Sequence, residues 1–449
     1  MTVSSVENQY EGSGRRPRVI VVGAGFGGFF AARRLQRADI ELTVLSPTDG
    51  MLYQPLLPDV AVGAVDPRSV LVPLSATLRK ARLVRGHATA LDPTARTLTY
   101  HDLDGVAGQL PYDRLLLAPG AVTKLFDIPG LAEHAIGLKT VTEALYLRDH
   151  LLDRLDSASI LTDPVRRRAA LTFMVVGAGY AGVELTAQMA RLTANLLPLH
   201  PGIAAGDVRW LLIDVAKQVM PELGASLGES ALQLLKRRHV DVRLGVSLTT
   251  MTDTQVTLSD GDVLDCSTVI WCAGVTPNPL IAALGLPATK GRLSVDEFLR
   301  VPSHPEIYAL GDCAAVPDLT QPVDEHGQHT LCPPTAQHAM RQAHAAARNI
   351  LAGLHQHRYA AKPYRHHDLG LVVDLGGPDA AATPLGVHLR GRAAKLITRG
   401  YHLYALPTGK RRVRVSLDWA LAGRRPDDVS LGLPAGPSAL ITHAEDDQG

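Results

Sequence analysis

Residues 18–22, RVIVV, are short, β-branched and followed at once by glycine, which is the pattern of a strand buried on both faces. Residues 29–36 (FFAARRLQ) set apolar groups against arginines at helical spacing and predict a helix. Residues 40–45 (IELTVL) predict a second strand, so 18–45 reads as one β-α-β unit. The same succession returns later: LTFMVV at 171–176, a helical pattern over 183–196, and VRWLLI at 208–213. Between the two units, residues 81–116 hold short strand-like pieces broken by turn signals such as Asp104-Gly105. They predict a meander strapped onto the sheet. Leu115–Leu117 predicts another buried strand, ending at Ala118-Pro119-Gly120. Strands are expected near Val242, Val256 and Val269, and Ile307–Leu310 reads as a strand returning to the first domain. Thr335–Leu351 predicts an alanine-rich helix with a Gln/His/Arg face. Beyond residue 363 the pattern changes to a strand pair, a helical stretch and a polar tail from Pro434 that is expected to be disordered.

Bulk properties narrow this only a little. A chain of 449 residues exceeds one ordinary core and implies two or three domains. With 45 Lys+Arg against 44 Asp+Glu the net charge is +1, so nothing global points to nucleic acid. The four cysteines, Cys266, Cys272, Cys313 and Cys332, form no Cys-x-x-Cys pair, which argues against a dithiol centre, a zinc knuckle and a disulfide framework. A reducing cytoplasm fits that usage. The N-terminus is polar, without the apolar core of a signal peptide, and no apolar run is long enough to predict a transmembrane helix.

The chemistry lies at the two strand-to-helix junctions. Gly23, Gly25 and Gly28, with Phe26 and Gly27 between them, form a Gly-x-Gly-x-x-Gly turn; Gly177, Gly179 and Gly182, with Tyr180 and Ala181, form another. In such a turn the first glycine permits the tight bend, the second lets backbone approach a pyrophosphate, and the third lets helix and strand pack closely. The helix start supplies free N–H groups and a positive partial charge. Two turns imply two dinucleotides. At the end of the strand after the second turn stands Asp214, whose carboxylate suits ribose hydroxyls and repels a 2′-phosphate, so NADH is expected over NADPH; Lys217 softens the preference. The matching position in the first unit is Ser46, a weaker acceptor, with Asp49 as a loop substitute.

Several stretches resemble type II NADH:quinone oxidoreductases: MLYQPLLPDVAVGAVDP, YDRLLLAPGAVTKLFDIPGLAEHAIGLKTVTEAL, GAGYAGVELTAQMA, WCAGVTPNPL, YALGDCAAV and PPTAQHAMRQA, in the family's order over roughly 17–420. The resemblance implies an α/β fold of two Rossmann-like domains, the first binding FAD and the second NADH, plus a smaller C-terminal α+β region. It implies a discontinuous FAD domain, 17–125 and 300–362, around an NADH domain at 126–299. The C-terminal region is then 363–433, with disordered ends at 1–16 and 434–449. Gly311 and Asp312 are implied at the ribityl chain of FAD, where a carboxylate is a good acceptor; as a residue, Asp312 also reads as a helix N-cap. Ala118-Pro119-Gly120 is implied to turn tightly against FAD, Gln54 to lie beside it, and Ala273-Gly274 to lie towards the nicotinamide.

Glu184, read as first-turn residue of the second helix, is implied near nicotinamide and flavin; there it also complements the helix dipole. Gln337 is implied in the quinone pocket. The family's AQxAxQQ pattern is here Ala336 to Gln342, with Arg341 replacing the first glutamine of the pair, and a cation there is expected to alter the acceptor. His338 reads as a satisfied or surface histidine. The C-terminal segments RGYHLYALP and LDWALAG resemble the family's membrane-gripping helices, although Lys395 and Thr398 stand where large apolar groups are expected. The basic run Lys410, Arg411, Arg412 and Arg414 suits anionic lipid, and a homodimer contact would use the same apolar face. The resulting expectation is a non-pumping NADH:quinone oxidoreductase of the cytoplasm or inner membrane face. The alternatives are a soluble flavoenzyme acting on a quinone-like metabolite, and a redox-sensing protein that only changes shape. A sulfide-directed relative needs paired cysteines, and Cys332 stands alone.

Overall fold

A computed structural model of the chain describes residues 15–221, 224–354, 359–422, 430, 431 and 433. The first sheet grows from β1 (Arg18–Val22), which lies parallel to β2 (Glu41–Ser46) on one side. Helix α1 (Phe26–Leu35) crosses between them. It starts three residues before the expected Phe29, because Gly25 supplies the extended N-cap and the turn already ends there. The meander is β3 (Arg82–Asp92), β4 (Thr97–Asp102) and β5 (Ala107–Pro111); β3 pairs parallel to β2, so it continues the same sheet. On the other side of β1 lies β6 (Arg114–Leu117), buried along nearly its whole length.

The second unit repeats the plan with a smaller sheet. Here β7 (Thr172–Val176), all five residues buried, is flanked in parallel by β8 (Arg209–Asp214) and by β10 (Thr268–Trp271); β9 (Val240–Leu244) lies outside β8. Complete burial of β7 and β10 on both faces is why the sequence there reads as apolar runs. Helix α2 (Tyr180–Leu196) follows β7, again opening three residues earlier than expected, at the residue after its glycine N-cap. The chain then returns to the first sheet through β11 (Arg300–Val301) and β12 (His304–Ala309), with Ile307 to Ala309 in parallel register on Leu115 to Leu117. The full order is β11-β12-β6-β1-β2-β3-β4-β5. Helix α3 (Ala336–Gly353) then packs along α1.

In the C-terminal region, β13 (Val372–Asp374), β14 (Ala380–Ala382) and β15 (Leu389–Arg390) make three antiparallel strands rather than the expected pair, since the short segment before the next helix also joins. Helices α4 (Gly391–Ala405) and α5 (Gly409–Leu421) follow. Lys395 and Thr398 do not interrupt an outer apolar face as expected: both are buried, on the inner side of α4. The outer side carries Leu396, Ile397 and Tyr404, continued on α5 by Val413, Leu417 and Leu421, all exposed. Among the described residues no helix is long and apolar enough to cross a membrane. The expected disordered tail at 434–449 lies outside the described residues, as does nearly all of 1–16.

Candidate active site

The two glycine turns are built alike. Gly23 holds φ +88°, and a Cβ on it would sit 2.3 Å from the Ala118 carbonyl oxygen. A Cβ on Gly28 would sit 1.8 Å from the Gly23 oxygen, so only glycine lets α1 close onto β1. In the second turn Gly177 has φ +111°, with its notional Cβ 2.6 Å from the Cys272 oxygen, and Gly182 meets the Gly177 oxygen at 1.9 Å. The middle glycines differ in kind: a Cβ on Gly25 or Gly179 meets nothing within 4 Å. Both are N-caps without a side-chain capping bond. Open space beside uncapped first-turn N–H groups is what a pyrophosphate requires, so both turns fit a dinucleotide.

Ala118-Pro119-Gly120 stands against the first turn and Cys272-Ala273-Gly274 against the second. These companion segments meet: Ala121–Thr123 pairs antiparallel with Val275–Pro277, and Lys124 N–H donates to the Gly274 oxygen at 3.2 Å. The two turns are thereby fixed around one cavity of about 440 Å³. Phe26, Gln54, Tyr180, Ala181, Gly274, Glu184 and Gln337 all line it.

The strand-end groups lie further out. Ser46 is buried, and its Oγ accepts the Thr48 N–H at 3.3 Å. Asp49 is exposed and faces Arg85 at 3.9 Å. Asp214 accepts the Ala178 N–H of the glycine turn on one oxygen and the Ala216 N–H at 2.7 Å on the other. It therefore braces the turn, and each oxygen retains a second lone pair for a ribose hydroxyl.

Glu184 corrects the expectation for its helix. Because α2 opens at Tyr180, Glu184 lies beyond the first turn, too far from the helix end to complement the dipole. Its Oε1 instead accepts the Asp374 N–H at 2.6 Å. Burial holds its carboxyl well above the carboxylate range; the Asp374 N–H opposes that, and the charges of Asp374 and Asp59 add to it. Glu184 is thus a cavity-wall carboxyl whose surroundings favour its protonated form.

Asp312 is also corrected as a cap. It sits within the 3-10 turn Gly311–Cys313, whose N-cap is Leu310, while Thr335 caps α3. The Gly311 N–H donates to Gln342 Oε1 at 2.7 Å, which ties this turn to α3. Burial raises the Asp312 pKa, with Lys139 and Arg292 opposing; burial lowers that of Lys139, with Asp312 and Glu143 opposing. Lys139 lines the cavity, and its carbonyl accepts from Gln54 Nε2 at 3.1 Å.

Gln337 is held at both ends of its amide: Nε2 donates to the Gly370 oxygen and Oε1 accepts from Arg341 Nη1, each at 2.8 Å. Arg341 is not a cavity residue, contrary to expectation. One helical turn on from Gln337, it lines a separate cleft and is joined to the cavity wall by that hydrogen bond. His338 likewise stays off the cavity, buried, bonded to Thr335 Oγ1 and stacked on His366.

Several cavity groups carry no signal in the sequence. Tyr53 Oη lies 3.1 Å from His402 Nδ1, with both residues buried at the cavity. Behind Glu184, the buried Lys395 forms an ion pair with Asp374, while Trp419 Nε1 donates to Asp59 at 3.1 Å. Burial, then Asp374, pushes Asp59 up to about 7. All four cysteines are free, and burial pushes each thiol up to about 12. No group of His, Cys, Asp and Glu among the described residues is arranged to hold a metal ion.

Residues 17–348 match the family described as pyridine nucleotide-disulphide oxidoreductase. Among curated relatives, the type II NADH:quinone oxidoreductase Ndh of Mycobacterium tuberculosis is 32% identical over 421 residues, covering 91% of this chain and 88% of the relative. The demethylphylloquinone reductase NdbB of Synechocystis is 29% identical over 418 residues, covering 90% and 96%. Among solved structures, NDH2 of Plasmodium falciparum in complex with NADH superposes with a TM-score of 0.84 at 20% identity, over 92% of this chain and 99% of that one. Both dinucleotide turns and the closing segment at Gly311 lie within the matched span, and the chain belongs to the pyridine nucleotide-disulphide oxidoreductase family, among its type II NADH:quinone oxidoreductases.

Proposed function

We propose that this chain is an FAD-dependent NADH:quinone oxidoreductase. A hydride passes from NADH to the flavin, and two electrons pass on to a quinone without proton pumping. The observation that carries the reading is the joining of two uncapped glycine turns, through their paired companion segments, around one cavity. FAD is assigned to the domain at 17–125 and 300–362, and NADH to the domain at 126–299. When bound, the isoalloxazine supplies the hydride acceptance and the two-electron return.

The side chains bind, orient and donate protons. Gly23 to Gly28 and Ala118 to Gly120 receive the FAD pyrophosphate, Ser46 its ribose, and Gln54, Gly311 and Asp312 the remainder. The charge of Lys139 counters that of Asp312. Gly177 to Gly182 with Ala273-Gly274 receive NADH, and Asp214 takes the ribose hydroxyls. Glu184 holds a proton on a carboxyl facing the cavity, placed to give it to an acceptor oxygen. Gln337, fixed from both sides, offers an amide to the same acceptor.

The exposed apolar stripe of α4 and α5, edged by Lys410, Arg412 and Arg414, suits a peripheral place on the membrane surface, at its cytoplasmic face, or a homodimer contact. The alternative of a soluble flavoenzyme loses one support, since Arg341 is outside the cavity. The test is anaerobic. NADH should bleach the visible flavin band and a menaquinone or ubiquinone analogue should restore it; bleaching without restoration by any quinone would overturn the acceptor assignment.

A further inference from the structure

On the outer side of α1 and α3 lies a second, smaller cleft of about 250 Å³, walled by Arg34, Arg341, His344, Arg348, Lys362 and Arg365. Among the described residues no carboxylate lines it. Arg341, His344 and Arg348 follow one another at helical spacing on a single face of α3, with burial and Arg34 disfavouring charge on His344. Arg34 comes from α1, and its Nε is buried with no hydrogen-bond partner. Lys362 and Arg365 come from the exposed segment that follows α3; Arg365 makes one bond, to the Leu319 oxygen at 3.2 Å. Arg34, Arg348 and Lys362 take part in no ion pair among the described residues.

We propose that this cleft binds a phosphate-bearing anion. Guanidinium forks match phosphate oxygens two at a time, and several converge here without internal neutralisation. The volume falls below the roughly 300–1,000 Å³ of pockets that enclose whole small molecules, so the cleft takes the charged end of its ligand. An anionic lipid headgroup and a soluble diphosphate share that chemistry. Occupancy reaches the main cavity through one residue. An anion that draws Arg341 competes with its bond to Gln337 Oε1, loosening an amide that is otherwise fixed between Arg341 and the Gly370 oxygen. The binding claim is independent of the proposed reaction; only this coupling rests on it.

The test uses the full chain with its flavin and two probes: inorganic pyrophosphate followed by calorimetry, and phosphatidylcholine vesicles with and without phosphatidylglycerol followed by co-sedimentation. The comparison is with Arg348→Glu combined with Lys362→Glu, and both residues lie outside the cavity. Binding of at least one probe should weaken roughly tenfold or more in the variant. Loss of pyrophosphate binding assigns a soluble diphosphate, while loss confined to phosphatidylglycerol vesicles assigns a headgroup. The probe that binds should raise the KM for quinone in the wild type and leave the KM for NADH unmoved. Should the double variant fail to fold, Lys362→Ala with Arg365→Ala on the exposed segment replaces it. Wild-type protein that binds neither probe, or a folded variant that binds both as well as wild type, overturns the proposal. Bleaching by NADH is scored separately and reports only on the reaction.

Discussion

Glu184→Gln isolates the proton from the rest of the site. Glutamine keeps an oxygen for the Asp374 N–H, now accepted at 2.6 Å, and keeps the volume, but cannot release a proton. Placed general acids contribute about 10²- to 10⁴-fold; taking the lower end for one of two proton deliveries, the cost is about 2.7 kcal/mol in the barrier. The loss should fall on one half of the cycle. In anaerobic stopped flow, flavin bleaching by NADH should stay within about twofold of wild type, while reoxidation by quinone slows about 10²-fold. Stability moves the other way. The folded pKa of Glu184 lies above its ordinary 4.5. Between those pH values the folded chain holds a proton that the unfolded chain has released, so wild-type stability falls as pH rises, by about 1.4 kcal/mol per pH unit for this group. Glutamine does not titrate. The unfolding midpoint of the variant relative to wild type should therefore climb as pH rises through the range above about 4.5. Equal slowing of both half-reactions, or a stability difference flat across that range, would refute the assignment of a protonated Glu184 at the acceptor end.

Other outcomes follow from the same geometry. Asp214→Ala removes the brace on Ala178 and a ribose acceptor together, so steady-state kinetics should show KM for NADH rising about tenfold and the gap to NADPH narrowing; an unchanged preference removes Asp214 from the site. Lys395→Met leaves Asp374 buried beside Glu184 and Asp59 without its cation, and chemical denaturation should show a loss of about 3–5 kcal/mol. Leu396→Glu with Leu417→Glu, at positions 74% and 57% exposed, should leave stability within about 0.5 kcal/mol per site yet abolish sedimentation with vesicles; undiminished sedimentation would move the membrane contact elsewhere.

What the sequence disclosed was local. The glycine turns, the strands that feed them and α3 are specified by neighbours a few residues apart, and the structure forms each where the pattern places it, with the helix starts shifted to the glycine caps. Groups joined across the chain left no such trace. Tyr53 and His402, or Asp59 and Trp419, come together only when α4 and α5 fold back over the first domain. Lys395 misled for the same reason. In isolation it breaks an apolar stripe, yet the stripe faces outward and Lys395 faces Asp374. Arg341 was placed at the acceptor by its position in a motif; a side chain four residues after Gln337 reaches back to that residue and not into the space before it.

The most direct test of the central claim, that each turn serves a different dinucleotide, uses the two glycines whose Cβ positions are empty. Gly25→Val and Gly179→Val each place a Cβ that meets nothing within 4 Å and should fold, while filling the space assigned to a pyrophosphate. The measurement is flavin content together with bleaching by NADH. Gly25→Val should purify without flavin, and Gly179→Val should retain a flavin band that NADH no longer bleaches. Loss of flavin from both variants, or bleaching at the wild-type rate in Gly179→Val, would contradict the assignment of separate nucleotides to the two turns.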